Sequence, residues 1–231
     1  MPEPICSFTL TRYPPSQAFW ALSAMGKDRS PLRKVPGLRF FRLLGTGRGA
    51  DLTLGADLRR WAMFGVWESR EALEEYQDSA LRRSHRDRAE ESYTAVLRPL
   101  RWRGRWGGVD PFAGVAAGEA SGRPIASVTR ARIRPRHLRA FWANVPDASR
   151  GLHANPGLLA SVGVGEVPLL HQATFTLWRD AASLRDYAYR GEGHREAISR
   201  SGKQGWFAEE LFARFEVLGS GGLWDGRDPL R

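Results

Sequence analysis

Apolar and polar positions along the chain form a pattern that is written twice. Residues 7–12 (SFTLTR) alternate as a strand. Pro14, Pro15 and Ser16 then open a helix carried by Phe19, Trp20, Leu22 and Met25. Proline suits that first turn because its missing N–H would have no partner there. Residues 35–49 (VPGLRFFRLLGTGRG) read as a turn, a strand and a glycine-rich exit. No helix begins at Gly49, so these are turn glycines rather than a nucleotide-binding loop. Residues 61–67 (WAMFGVW) form a strand too apolar on both faces to lie at a surface. Residues 68–85 follow as a helix with Leu73, Tyr76 and Leu81 at helical spacing. Residues 93–102 (YTAVLRPLRW) end the series as a strand. The order is β-α-β-β-α-β.

Residues 104–124 lose periodicity and gain glycine and alanine, as a linker does. The same grammar then returns. SVTRARI (127–133) repeats the opening strand, and Phe141-Trp142 stand 122 residues after Phe19-Trp20. Pro156-Gly157-Leu158 answer Pro36-Gly37-Leu38 at 120, and FTLWRDAASLRDY answers FGVWESREALEEY at 111. His194 falls 109 after His85, and Trp224-x-Gly226 answers Trp106-x-Gly108 at 118. Landmarks in one order with so little drift describe a tandem duplication. The expected fold class is α+β: two ferredoxin-like β-α-β-β-α-β units, residues 1–103 and 125–231, joined by the 104–124 linker. Two helices cover only one face of each four-stranded antiparallel sheet. The open faces then bury each other, giving an α/β barrel within one chain.

Composition narrows the picture. Nine tryptophans and 42% hydrophobic residues belong to a folded protein. Cys6 stands alone, leaving no intramolecular disulfide and no cysteine-based zinc or iron–sulfur site, which suits a reducing cytosol. The first ten residues lack a signal-peptide layout, and no apolar run approaches the ~18 residues of a membrane span. A cytoplasmic protein is expected, touching the inner-membrane surface at most. The net charge of +10 comes from arginines scattered among acids, not from a basic arm, so nucleic acid is not an expected partner.

Candidate chemistry sits where the two copies differ. The first histidine helix, ALRRSHRDRAEES, is charged all round, and His85 is expected to be exposed or capping. The second, GEGHREAISRSG, sets Gly193 before His194 and puts Ala197 and Ile198 on the same face. Glycine permits close approach of something flat and bulky, which makes His194 a candidate ligand. His171, entering the third strand of the second copy, is its rival and a candidate catalytic residue. Arg130, Arg132 and Arg134 alternate along one strand, where guanidiniums on one face could hold carboxylates such as haem propionates. The aromatic pair Trp206-Phe207 joins Gly193 and Ile198 as candidate cofactor contacts. Glu209-Glu210 read as part of a helix-like segment facing solvent or neighbouring arginines. His171, His194 and one acid could also form a non-haem iron site. His137 and His153 read as surface residues.

The runs GVGEVPLLHQATFTLW (163–178), RGEGHREAI (190–198), GWFAEELFARFEVLGSGGLWDGRDPL (205–230) and PGLRFFRLLGTGRG (36–49) resemble the spheroidene monooxygenases, a family of haem-containing carotenoid ketolases. The resemblance implies haem b, with iron on His194, and dioxygen reduced by electrons from a reductase or ferredoxin. The implied substrate is a hydrophobic carotenoid, oxidised beside its polyene end. Relatives of this fold dehydrate aldoximes or run peroxide chemistry with the same haem, which gives a second enzymatic reading. A non-enzymatic haem carrier is a third. A homodimer and peripheral membrane contact are compatible with all three.

Overall fold

The computed structural model describes residues 3–50, 52–53, 55–190 and 205–231. The first half runs β1 (Ile5–Arg12), α1 (Ala18–Lys27), α2 (Arg29–Leu32), β2 (Leu38–Gly47), β3 (Ala56–Trp67), α3 (Arg70–Gln77), α4 (Ala80–Arg88) and β4 (Glu91–Gly104). The second runs β5 (Ile125–Ile133), α5 (Leu138–His153), β6 (Leu158–Val167), β7 (His171–Trp178), α6 (Ala181–Arg190) and β8 (Phe207–Gly222). The helix expected over residues 68–85 is two helices. Ser69 and Ser79 each accept a backbone N–H three residues on, from Ala72 and Arg82, so a second N-cap restarts the helix at Ala80.

The eight strands close into one antiparallel barrel in the order β1-β3-β2-β6-β7-β5-β8-β4. Closure joins the two sheets along two seams. β4 and β8 pair from Tyr93↔Gly222 to Gly104↔Leu211, whereas β2 and β6 share only Gly45↔Gly165 and Thr46↔Val164. Along β8, Leu211, Ala213, Phe215 and Val217 are all buried in the barrel core, a period of two that only a strand gives. The aromatic and acidic run is therefore a strand and not the helix-like segment expected. Its doubled Glu209-Glu210 obscured the alternation.

The barrel interior is one packed core shared by both halves. Phe8 of β1 stacks on Phe175 of β7 at 3.7 Å between ring centroids, with the rings 6° from parallel. The segment expected as a free linker supplies part of that core, since Trp106 and Phe112 are 1% and 0% exposed. Trp106-Gly-Gly-Val-Asp-Pro-Phe112 and Trp224-Asp-Gly-Arg-Asp-Pro-Leu230 are the same device used twice. In each the tryptophan N–H bonds the carbonyl three residues on, at 2.8 Å for both Val109 and Arg227. In each the aspartate caps the backbone two residues later, Asp110 to Phe112 at 2.9 Å and Asp228 to Leu230 at 3.0 Å. Because β4 and β8 are antiparallel, the two plugs close opposite ends. Each is preceded by a left-handed glycine, Gly104 at φ 97° and Gly222 at φ 88°. A Cβ at either would overlap a carbonyl of the neighbouring strand, Glu210 or Ser92.

Candidate functional site

Two regions hold the residues that the sequence singles out, and they lie on opposite sides of the second half's sheet. The first is the barrel end closed by Trp106. Arg130 points inward from β5 and is 2% exposed. It pairs with Glu209 of β8 and, at 3.2 Å, with Glu166 of β6. Glu166 also takes Arg42 of β2 at 2.9 Å and the Trp106 indole N–H at 2.7 Å. Glu209 accepts the backbone N–H groups of Gly107 at 2.9 Å and Gly108 at 2.6 Å. Burial alone would raise the Glu209 pKa, but those N–H groups and Arg130 hold it below the ordinary glutamate range. The network ties the plug to four strands, and Arg42–Glu166 clamps the short β2–β6 seam. Glu209 thus faces a neighbouring arginine as expected.

His171 pairs with Arg132 across β5–β7, and strand alternation puts it on the barrel side with Ala173 and Phe175. Burial and then the charge of Arg130 lower its pKa, so its imidazole is neutral at physiological pH. Only two of the three arginines share a face. Arg130, committed to two carboxylates, and Arg132 both point to the barrel side, and a register shift between Arg132 and Ile133 breaks the alternation before Arg134. Arg132 and Arg134 are exposed, and Arg134 Nε donates to the Phe207 carbonyl at 3.2 Å. Gly193, His194 and Ile198 lie outside the described residues.

The second region is the outer face of the β6-β7-β5-β8 sheet, beneath α5. The equivalent face of the first half carries bulkier side chains, around a small cavity under α1. There Leu43 pairs with Met63 and Gly45 with Trp61, and Thr9 is buried under α1 and bonded to Thr94 at 3.0 Å. In the second half the same positions read Gly163 opposite Thr174 and Gly165 opposite Gln172. Thr129, the counterpart of Thr9, is exposed in mid-strand. Helix α5 is anchored near its ends. Phe141 meets Phe207 edge-on at 6.2 Å, and Leu152 joins the cluster of Ile125, Trp178 and Leu184. Between these anchors the Trp142 indole Nε1 is buried with no hydrogen-bond partner. An orphaned buried donor is costly, about 1–3 kcal/mol. Trp206 is buried and its ring lies 6.4 Å from that of His137, 23° from parallel. Residue by residue, bulk has been removed from this face and a donor left behind. Sequence reading missed Gly163, Thr174, Trp142 and Glu166, although the repeat held the signal in Leu43 and Met63.

No protein-family model matches the chain. Among characterised proteins, spheroidene monooxygenase of Rhodobacter capsulatus is 36% identical over 230 residues, covering 98% of this chain and 95% of the relative. The Rubrivivax gelatinosus enzyme of the same name is 34% identical over 214 residues, 92% of this chain and 82% of the relative. The chain belongs to the spheroidene monooxygenase family. This membership confirms the resemblance read from its motifs. Among solved structures, a crystal structure of aldoxime dehydratase covers 93% of this chain and 81% of its own at 14% identity, with a TM-score of 0.62. A second aldoxime dehydratase, in complex with butyraldoxime, aligns at 13% identity over 93% of this chain and 79% of its own, with a TM-score of 0.59. At such identities the likeness shows the fold alone. This spheroidene monooxygenase relative therefore shares its closed barrel with enzymes whose chemistry need not be its own. Among the described residues no helix is long and apolar enough to cross a membrane.

Proposed function

We propose that this protein is a haem-dependent monooxygenase that inserts oxygen into a carotenoid at the carbon beside its polyene end, repeatedly, to give a ketone. Family membership supports the oxygenase reading and the carotenoid class. The observation that carries the haem reading is the loss of bulk on the outer face of the second sheet, where Gly163 and Thr174 stand in the places of Leu43 and Met63 in the first.

A flat macrocycle needs a broad slot without bulky side chains, and glycine and threonine on adjacent strands provide one. Its iron needs a nitrogen ligand, which the sequence assigns to His194, outside the described residues. Its propionates need cations; Arg134, exposed beyond the register shift of β5, is the candidate, since Arg130 is already held by carboxylates and Arg132 shares the barrel face with it. When bound, haem supplies reductive activation of dioxygen, with two electrons from a reductase or ferredoxin, one oxygen atom going to the substrate and the other to water.

The chain's own contributions follow from the geometry. The Trp142 N–H, buried and unpartnered, would donate a hydrogen bond to an oxygen atom bound beneath α5. Phe141, Phe207 and Trp206 line one end of the face with aromatic surface, which suits a polyene and keeps water out. The Arg130 network stiffens the opposite side of the same sheet.

The test is an optical spectrum of protein expressed with haem supply, followed by turnover of a carotenoid with dioxygen and an electron donor. A Soret band and a ketone product are expected, with the band lost in His194→Ala. Protein that takes up no haem would overturn the cofactor. Full haem content with an unchanged band in His194→Ala would overturn the ligand. Turnover without any electron donor would move the reaction to aldoxime or peroxide chemistry.

A further inference from the structure

The first half holds a chain of buried and half-buried ionisable side chains that the oxygenase reading does not use. Tyr13, directly after β1, is 2% exposed, and its hydroxyl lies 2.6 Å from Nδ1 of His85 on α4. The other ring nitrogen, Nε2, lies 2.7 Å from Oδ2 of Asp28 at the junction of α1 and α2. Donor and acceptor roles follow by elimination. A carboxylate can only accept, so Nε2 carries the proton, which leaves the Nδ1 lone pair to accept from the phenol. Burial, with the Asp28 charge acting the same way against Arg82, raises the Tyr13 pKa well above the ordinary tyrosine value. The phenol therefore stays protonated and cannot react as a phenolate.

We propose that Tyr13 is a one-electron redox site whose oxidation is coupled to proton transfer onto His85. The phenol gives one electron to a one-electron oxidant, and its proton moves from Oη to Nδ1. The products are a neutral tyrosyl radical, an imidazolium paired with the Asp28 carboxylate, and the reduced oxidant. Returning the electron and proton restores the starting state.

Tyr76 and Tyr93 lack this arrangement. The Tyr76 hydroxyl donates to the Met63 sulfur at 3.4 Å, which cannot take a proton, and the Tyr93 hydroxyl is buried with no histidine beside it. In the second half Ile133 stands at the position of Tyr13, so the device belongs to one copy only. Trp20 links the site to the surface, its ring 5.8 Å from that of Tyr13 and 5.0 Å from that of His85. The Arg88 guanidinium sits 4.7 Å from the Trp20 ring centroid. That cation opposes a positive hole resting on the indole, so the hole settles on Tyr13, where a proton can leave. In a protein that handles dioxygen, such a site is a sink for oxidising equivalents that stray from the substrate. It does not depend on the haem assignment.

The test uses the purified full chain and photogenerated tris(bipyridyl)ruthenium(III) as the one-electron oxidant, read by electron paramagnetic resonance and transient absorption. A tyrosyl signal with a solvent deuterium effect on its formation is expected. The signal is lost in Tyr13→Phe. It forms more slowly in His85→Gln, because glutamine accepts the phenol's hydrogen bond but not its proton. A purely structural network predicts no change in radical yield or rate. An undiminished signal in Tyr13→Phe, or formation at the parent rate in His85→Gln, overturns the proposal. Circular dichroism checks both folds, and the glutamine variant decides the matter if the phenylalanine variant does not fold.

Discussion

Leu10 of β1 and Arg130 of β5 occupy the same place in the two copies, and the exchange of leucine for arginine shows what a single residue can impose. An inward guanidinium on a barrel strand demands partners, which Glu166 and Glu209 supply from two other strands. Substituting Arg130→Leu leaves Glu209 facing a nearly closed interior without its cation, and Glu166 with Arg42 alone. Stability should drop by about 3 kcal/mol, read as a shift of the urea midpoint. Glu209 of this network and Glu216, farther along β8, carry a pH signature. Glu209 and Glu216 would both be raised by burial. Gly107, Gly108 and Arg130 for the first, and Ser121 and Arg98 for the second, instead hold them below the ordinary value of 4.5. The unfolded chain therefore takes up protons first as the pH falls. The stabilisation is complete above the ordinary value and is lost as pH drops through the depressed folded values. Urea midpoints should fall steeply below that range, and Glu209→Gln should flatten the profile.

Among elements, the contrast between α1 on its sheet and α5 on the other decides where a ligand can go. Met63 and Leu43 put bulk at the first interface, and Thr174 and Gly163 put little at the second. Refilling the second should therefore expel whatever it holds. Thr174→Met is expected to lower haem content at least tenfold while the thermal midpoint stays level or rises, since added buried methylene groups contribute roughly 0.8 kcal/mol each. Spectroscopic haem titration beside a melting curve checks both halves of that statement. A fall in both together would mean that the residue is merely structural. The strands and their order were legible from period-two alternation and from the repeat. The break between α3 and α4 was not, because a serine N-cap in the middle of a helical pattern reads as one more polar surface position. β8 was misread because Glu209-Glu210 sit on opposite faces of a strand and look, in one dimension, like a charged helix surface.

For the whole molecule, one core serves both halves. Phe8 stacks on Phe175, and the plugs Trp106 and Trp224 lie in the same cluster. Residues 1–103 expressed alone would expose the inner faces of four strands and lack both plugs. They are expected to dimerise or aggregate, and size-exclusion chromatography on that fragment would show it; a stable monomer would contradict the shared core. The sequence by itself determined the duplication, the fold class, the closed barrel and the family, because all of these live in local periodicity and in motifs repeated at fixed offsets. Tertiary structure alone decided which arginine is buried, that the glycine-rich segment plugs the barrel, and which face of which sheet carries the small residues. Those outcomes depend on partners far apart in the chain, such as Trp106 with Glu166 or Arg130 with Glu209, whose proximity is created only when the strands close.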